Sequence, residues 1–100
     1  MTKLYINTDV TVTLTPGTGF TMSDVVSASV QLTHSETEES LVLTSGSGQI
    51  TLNVNDMTVN IPDSGGITAP GVYWVRVTFT DAQGNVRGLT PDTETLKFWK

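Results

Sequence analysis

The chain contains no cysteine, so no disulfide framework and no thiolate metal site can hold it together. A domain of 100 residues without such staples lives on packing alone and needs a well-made core. The missing thiols fit folding in a reducing cytoplasm. Basic residues are equally scarce: there are five, of which Lys3, Lys97 and Lys100 lie near the termini, and the net charge is −5. Too little positive charge is present to neutralise a run of phosphates, which argues against a nucleic-acid partner. No stretch approaches the apolar run of a membrane span, and residues 1–7 hold no apolar leader core, so neither a membrane nor standard secretion is expected. Helical stripes of useful length are missing too, and no segment repeats at a fixed period. The length is that of one domain, residues 1–100.

What is present is alternation with period two, in a chain rich in Thr and Val, whose branched side chains suit a half-buried pleated surface. Val10, Val12 and Leu14 alternate with threonines, and Pro16-Gly17-Thr18-Gly19 then marks a turn. A connection holding Phe20 and Met22 leads to Val26, Ala28, Val30 and Leu32, which face one way while Ser27, Ser29, Gln31 and Thr33 face the other. A polar tip, His34 to Ser40, precedes the short run Leu41-Val42-Leu43. Ile50, Leu52 and Val54 mirror Met57, Val59 and Ile61 across Asn55-Asp56, predicting a hairpin that pairs 54 with 57 and 50 with 61. Tyr73, Val75, Val77 and Phe79 form the bulky face of a central strand. A loop at 81–85 leads to Val86 and Leu89, whose opposite parity predicts a bulge at Gly88 if both reach the core. The last strand is Leu96 to Trp99, after an interruption at Pro91-Asp92-Thr93-Glu94. Seven or eight short strands at this spacing match a two-sheet antiparallel sandwich better than a closed barrel, which stays open as the alternative.

Gly71-Val72-Tyr73-Trp74-Val75 resembles the Gly-x-Tyr-x-Cys stretch of immunoglobulin domains, with Val75 where the cysteine stands. That likeness implies an immunoglobulin-like fold and a Tyr73 hydroxyl bonded to nearby backbone. The cysteine pair and core tryptophan of antibody domains are absent, which excludes a true antibody-type member. The segments from Ser23 to Val30, Thr44 to Leu52, and Ala69 through Tyr73 to Val86 also resemble, in the same order, small bacteriophage and prophage proteins with immunoglobulin-like folds. Such proteins are virion, tail or baseplate accessory pieces. The resemblance implies a structural role through contacts with other phage structural proteins or with further copies of itself, in the host bacterial cytoplasm during assembly and then in the virion. The polar insertion Thr90 to Glu94 departs from that pattern.

No acid–base pair, phosphate-binding loop or metal cluster is visible, so the expectation is no enzyme and no cofactor. His34 is the only histidine, and without a nucleophile or orienter beside it it reads as a solvated loop tip, with Glu36 the nearest carboxylate. Asp81 with Asn85, and Asp92 with Glu94, lack calcium-loop spacing and read as turn residues. Glu36, Glu38 and Glu39 read as a solvated run. Trp74 and Arg76 share the face opposite Tyr73 and Val75. If that face is exposed they are candidate contact residues, with Trp99 a third; if a second layer covers it, Trp74 is core. A second expectation is a glycan- or cell-surface-binding module using Trp74, Tyr5 and the acidic loop.

Overall fold

The computed structural model describes residues 3–16, 22–89 and 91–100. Gly17, Thr18, Gly19 and Phe20 of the expected turn and connection lie outside the described residues, as does Thr90. Among the described residues the chain is all-β, with nine strands and one 3₁₀ turn, Met22–Asp24. The strands are β1 (Leu4–Tyr5), β2 (Val10–Leu14), β3 (Ser27–His34), β4 (Ser40–Thr44), β5 (Ile50–Leu52), β6 (Met57–Ile61), β7 (Gly71–Thr80), β8 (Val86–Leu89) and β9 (Thr95–Trp99). Eight fall on runs read from the sequence; β1 is a ninth, beyond the seven or eight antiparallel strands expected, and it pairs parallel to β9.

They form two sheets. The larger has the order β1-β9-β7-β3-β4, with β8 also on β7, and the smaller has the order β2-β6-β5. β7 is central, as its bulky face predicts: β3 covers one edge from Ser27↔Thr80 to His34↔Tyr73. The other edge is divided, with β9 pairing Gly71 to Trp74 and β8 pairing Val77 to Thr80. Alternation turns Val30, Leu32, Val77 and Phe98 of the larger sheet, and Leu14, Met57, Val59 and Ile61 of the smaller, into one shared core, a sandwich-like arrangement. Each such side chain stabilises by roughly 1.5–3 kcal/mol when fully buried. The Tyr73 hydroxyl donates to the Ala69 carbonyl at 2.6 Å. Burial, and secondarily the Glu39 carboxylate, pushes that hydroxyl above its usual range, keeping the proton it donates.

Four expectations need correction. The β5–β6 hairpin pairs Leu52 with Met57 and Ile50 with Val59, two residues from the expected register. Residues 53–56 form a wider loop, closed by the Asn53 amide, which donates to Asp56 Oδ1 at 2.8 Å and Thr58 Oγ1 at 2.9 Å. Val54 is thereby 85% exposed. β8 runs in regular register from Thr80↔Val86 to Val77↔Leu89, with no bulge at Gly88, so Leu89 reaches the core and Val86 does not. Val26 precedes β3 and is exposed. His34 is not a solvated tip but the last inward residue of β3, 5% exposed. Its Nε2 lies 2.9 Å from the Pro70 carbonyl, and its Nδ1 accepts the Glu36 and Thr37 amides at 3.1 and 3.2 Å. Those bonds assign the proton to Nε2.

The turn residues behave as turn residues. Asp81 Oδ1 accepts the amides of Gln83 and Asn85 at 3.0 and 2.9 Å, and Oδ2 accepts Arg87 Nε at 2.9 Å. The Arg87 bond first, then the Asn85 amide, hold this carboxyl below its ordinary value of 3.8. In the unfolded chain it takes up a proton near that value, while the folded chain resists until lower pH. Its stabilisation is therefore complete above the unfolded value and is lost as pH falls through the folded one. Acid melts from pH 5 downward should show the Asp81→Asn variant losing less stability than wild type once the pH falls below the unfolded value of 3.8. Parallel curves for the two proteins would refute the linkage.

Asp92 ties the chain entering β9 to the end of β2: its amide donates to the Thr15 carbonyl at 2.8 Å, and its Oδ1 accepts the Thr15 amide at 3.2 Å. The polar insertion thus acts as a clasp between the sheets, reinforced by the bridge between Pro16 and Pro91.

Candidate functional site

The face of the larger sheet turned away from the core follows from register. β1 runs parallel to β9, pairing Leu4 with Phe98 and Tyr5 with Trp99, so the inward first pair places the aromatic second pair outward. In successive rows come Lys97 beside Val72, then Thr95, Trp74, Thr33 and Ser40. Arg76, Gln31 and Val42 form the next row, and Val86 stands beside Thr80 at the far end. No second layer of described residues covers Trp74, which is 57% exposed. This settles the alternative left open by the sequence: Trp74 and Arg76 lie on a free face.

Trp99 is more enclosed. The Lys97 ammonium stands 4.1 Å from its ring centre and the Lys3 ammonium 4.6 Å. Each contact contributes about 0.5–1 kcal/mol at an exposed site, so the two lysines hold the indole in place. Trp74 and Trp99 share the face without touching: Trp74 stands opposite Thr95, four residues along β9 from Trp99, roughly 13 Å at the rise of a strand. Tyr5, Val42, Val86 and Lys97 complete the surface. Among the exposed large apolar side chains, Tyr5, Val42, Trp74, Val86 and Trp99 belong to it, leaving Val26 and Val54 elsewhere. The larger sheet's strands contain no Asp or Glu, so an acidic chain carries here a surface on which Arg76, Lys97 and the Lys3 ammonium over Trp99 supply positive charge.

Carboxylates gather at the rim. Glu36, Glu38 and Glu39 are exposed in the β3–β4 loop beyond the Trp74 row, as the sequence reading expects of a solvated run. Among the described residues the one ion pair is Arg87 with Asp81, so Arg76 and Lys97 are not neutralised within the chain. Beside Arg76, where β7 passes from β9 to β8, a cleft of about 440 Å³ opens between Gly88, Leu89, Pro91 and Glu94. Among the described residues no group of three or more His, Cys, Asp or Glu is placed to hold a metal ion.

The chain matches no family model, no curated protein and no solved structure. The surface must be read from its own chemistry. It spans six paired strands, is aromatic at one end, polar with Thr, Ser and Gln along its middle, and weakly cationic. Such a surface offers area rather than an enclosing cavity.

Proposed function

We propose that the chain is an immunoglobulin-like domain that works as a non-enzymatic assembly piece, docking on a partner protein through the outer face of its larger sheet. The strand orders support the fold reading: β9-β7-β3 follow one another as strands G, F and C do, with β4 in the place of C′, and β2-β6-β5 follow the order B, E, D. The Tyr73 hydroxyl on the Ala69 carbonyl, at the start of β7, is the bond of a tyrosine corner. The setting we assign is a tailed-phage particle, on the likeness of segments 23–30, 44–52 and 69–86 to such proteins.

The observation that carries the docking reading is the gathering of Trp74, Trp99, Tyr5 and Val42 with Arg76 and Lys97 on one face, across strands that contain no Asp or Glu. Trp, Tyr and Arg are the residues that most often dominate binding when they sit together in a patch. Like charge at Arg76 and Lys97 opposes stacking this face on its own copy, so its partner presents carboxylates and apolar area of its own. Titrating the products of the flanking genes by calorimetry tests this. One of them should bind, and Trp74→Ala should weaken it about 30-fold, the effect of a central anchor. Unchanged affinity in both Trp74→Ala and Trp99→Ala would place the contact elsewhere. Tyr5 beside Trp99 supports the second reading, a glycan platform, and quenching of tryptophan fluorescence by a neutral oligosaccharide, with no flanking product bound, would favour it.

A further inference from the structure

The smaller sheet has a free edge whose hydrogen-bonding pattern can be worked out residue by residue. The Asn60 amide donates to the Gln49 carbonyl at 2.8 Å, so the backbone of Asn60 points to β5. Backbone groups alternate sides along a strand, so Met57, Val59 and Ile61 point to β2. Their partners Leu14, Val12 and Val10 answer them, and the amides and carbonyls of Thr11 and Thr13 point out of the sheet. Among the described residues those backbone groups have no partner. Thr15, next in that series, is taken by Asp92 through both its amide and its carbonyl. β1, the one described strand that precedes β2, is committed to β9 in the other sheet.

Between Asp9 and the Asp92 clasp on Thr15, this edge is unguarded. Val10–Leu14 carries no charge, no proline and no bulge, and it alternates Val-Thr-Val-Thr-Leu. The free edge of β4, by contrast, starts beside Glu38 and Glu39 and ends where the Thr44 amide reaches Gln49. β5 is three residues long and β1 two.

We propose that the free edge of β2 pairs with β2 of a second copy, antiparallel about a two-fold axis at Val12, joining two three-stranded sheets into one of six strands. The occupant follows from self-complementarity. About Val12, Thr11 meets Thr13 of the second copy, Val10 meets Leu14, and Val12 meets itself, so threonine faces threonine and apolar faces apolar. The register follows from the clasp and the side chains together. The pairing centred on Val12 uses both free residues of each copy, giving four backbone hydrogen bonds; centring on Thr13 would need the backbone of Thr15, which Asp92 holds, and centring on Thr11 would set Leu14 against Thr8 and Thr13 against Asp9. Val12 is only half-buried because its edge side is open, and the second copy's Val12 covers it. The surface is distinct from the outer face of the larger sheet, so the proposal does not rest on the docking reading.

Sedimentation over a wide concentration range should show a monomer–dimer equilibrium. Thr13→Pro tests the edge directly: the lost amide points outward, so the fold keeps its internal ladder, while each copy loses one of the four bonds. Its dissociation constant should rise about 100-fold, with circular dichroism unchanged. Trp74→Ala should leave the dimer intact. Register is read by single cysteines in this thiol-free chain: on mild oxidation Val12→Cys should cross-link the dimer well ahead of Thr11→Cys and Thr13→Cys, because only position 12 meets itself. A monomer at all concentrations overturns the proposal, as does a dimer that Trp74→Ala dissociates, or equal cross-linking at positions 11, 12 and 13. Should Thr13→Pro lose its fold, the cross-linking order alone decides.

Discussion

Gly71→Ala is expected to lower the thermal midpoint by about 15 °C or more, although it adds a single methyl group in a β-strand. Two costs add. Gly71 has φ of 134°, a conformation that side chains rarely adopt, and holding a non-glycine residue in such a region costs about 1–3 kcal/mol. A Cβ there would stand 2.6 Å from His34 Nε2. The ring cannot swing away cheaply, because it is buried and bonded at both nitrogens, to Pro70 on one side and to the Glu36 and Thr37 amides on the other. Overpacking of that kind costs about 1–3 kcal/mol more. For a domain of this size each kcal/mol moves the midpoint by about 4–8 °C. Thermal melts of Gly71→Ala, His34→Ala and the double variant separate the terms. Removing the imidazole should relieve the clash and leave the backbone strain, so the two changes should couple by about 1–3 kcal/mol. A midpoint within 3 °C of wild type for Gly71→Ala, or strict additivity, would count against this account. The consequence for function is positional: Gly71 begins the strand that carries Trp74 and Arg76, and the His34 clamp fixes the loop bearing the glutamates beside them.

Why some of this was legible in the sequence and some was not comes down to what a period of two can encode. Alternation assigns faces, and it places Trp74 and Arg76 opposite Tyr73 and Val75, where the structure has them. It even carried a signal for His34, which shares the parity of Ala28, Val30 and Leu32. Composition pulled the other way, since His34 opens a run of polar residues, and burial followed the parity. A shift of two residues leaves every side chain on its face, so the pattern could not separate the expected β5–β6 pairing from the observed one. The side chain of Asn53, by bonding across the loop, makes that choice. Val86 shows the opposite limit: the apolar residue at the exposed end of an edge strand looks like core in the sequence, and only the partner register, Thr80↔Val86, tells that it faces out. The aromatic end of the outer face was the least legible part. Tyr5 and Trp99 meet because the two ends of the chain run parallel, and no local pattern reports on a pairing between residues so far apart in sequence.

That pairing makes Phe98→Ala the second large effect, and one that reaches the outer face from the inside. Phe98 is 1% exposed. Its ring meets Tyr73 edge-on, centroids 5.5 Å apart, and Tyr73 in turn meets His34 at 4.9 Å. Truncating a buried phenylalanine costs about 3–5 kcal/mol, a large share of the roughly 5–15 kcal/mol that holds a domain folded. The damage should be uneven. β1 joins the larger sheet only through β9, by Leu4↔Phe98, Tyr5↔Trp99 and the Ile6 amide on the Trp99 carbonyl at 3.0 Å. With Phe98 cut back, β1 and β9 should open together at a free energy well below that of global unfolding, while β3 against β7 stays protected. Amide exchange reads this directly: Ile6 should exchange much faster than Gln31 in Phe98→Ala, with Phe98→Leu intermediate. Because Tyr5, Lys97 and Trp99 ride on those two strands, the docking we propose for the outer face should weaken along with Ile6 protection, although Phe98 never reaches that surface. If Ile6 and Gln31 instead lose protection equally, β9 is not a separate unit, and the aromatic end of the face is as rigid as its centre.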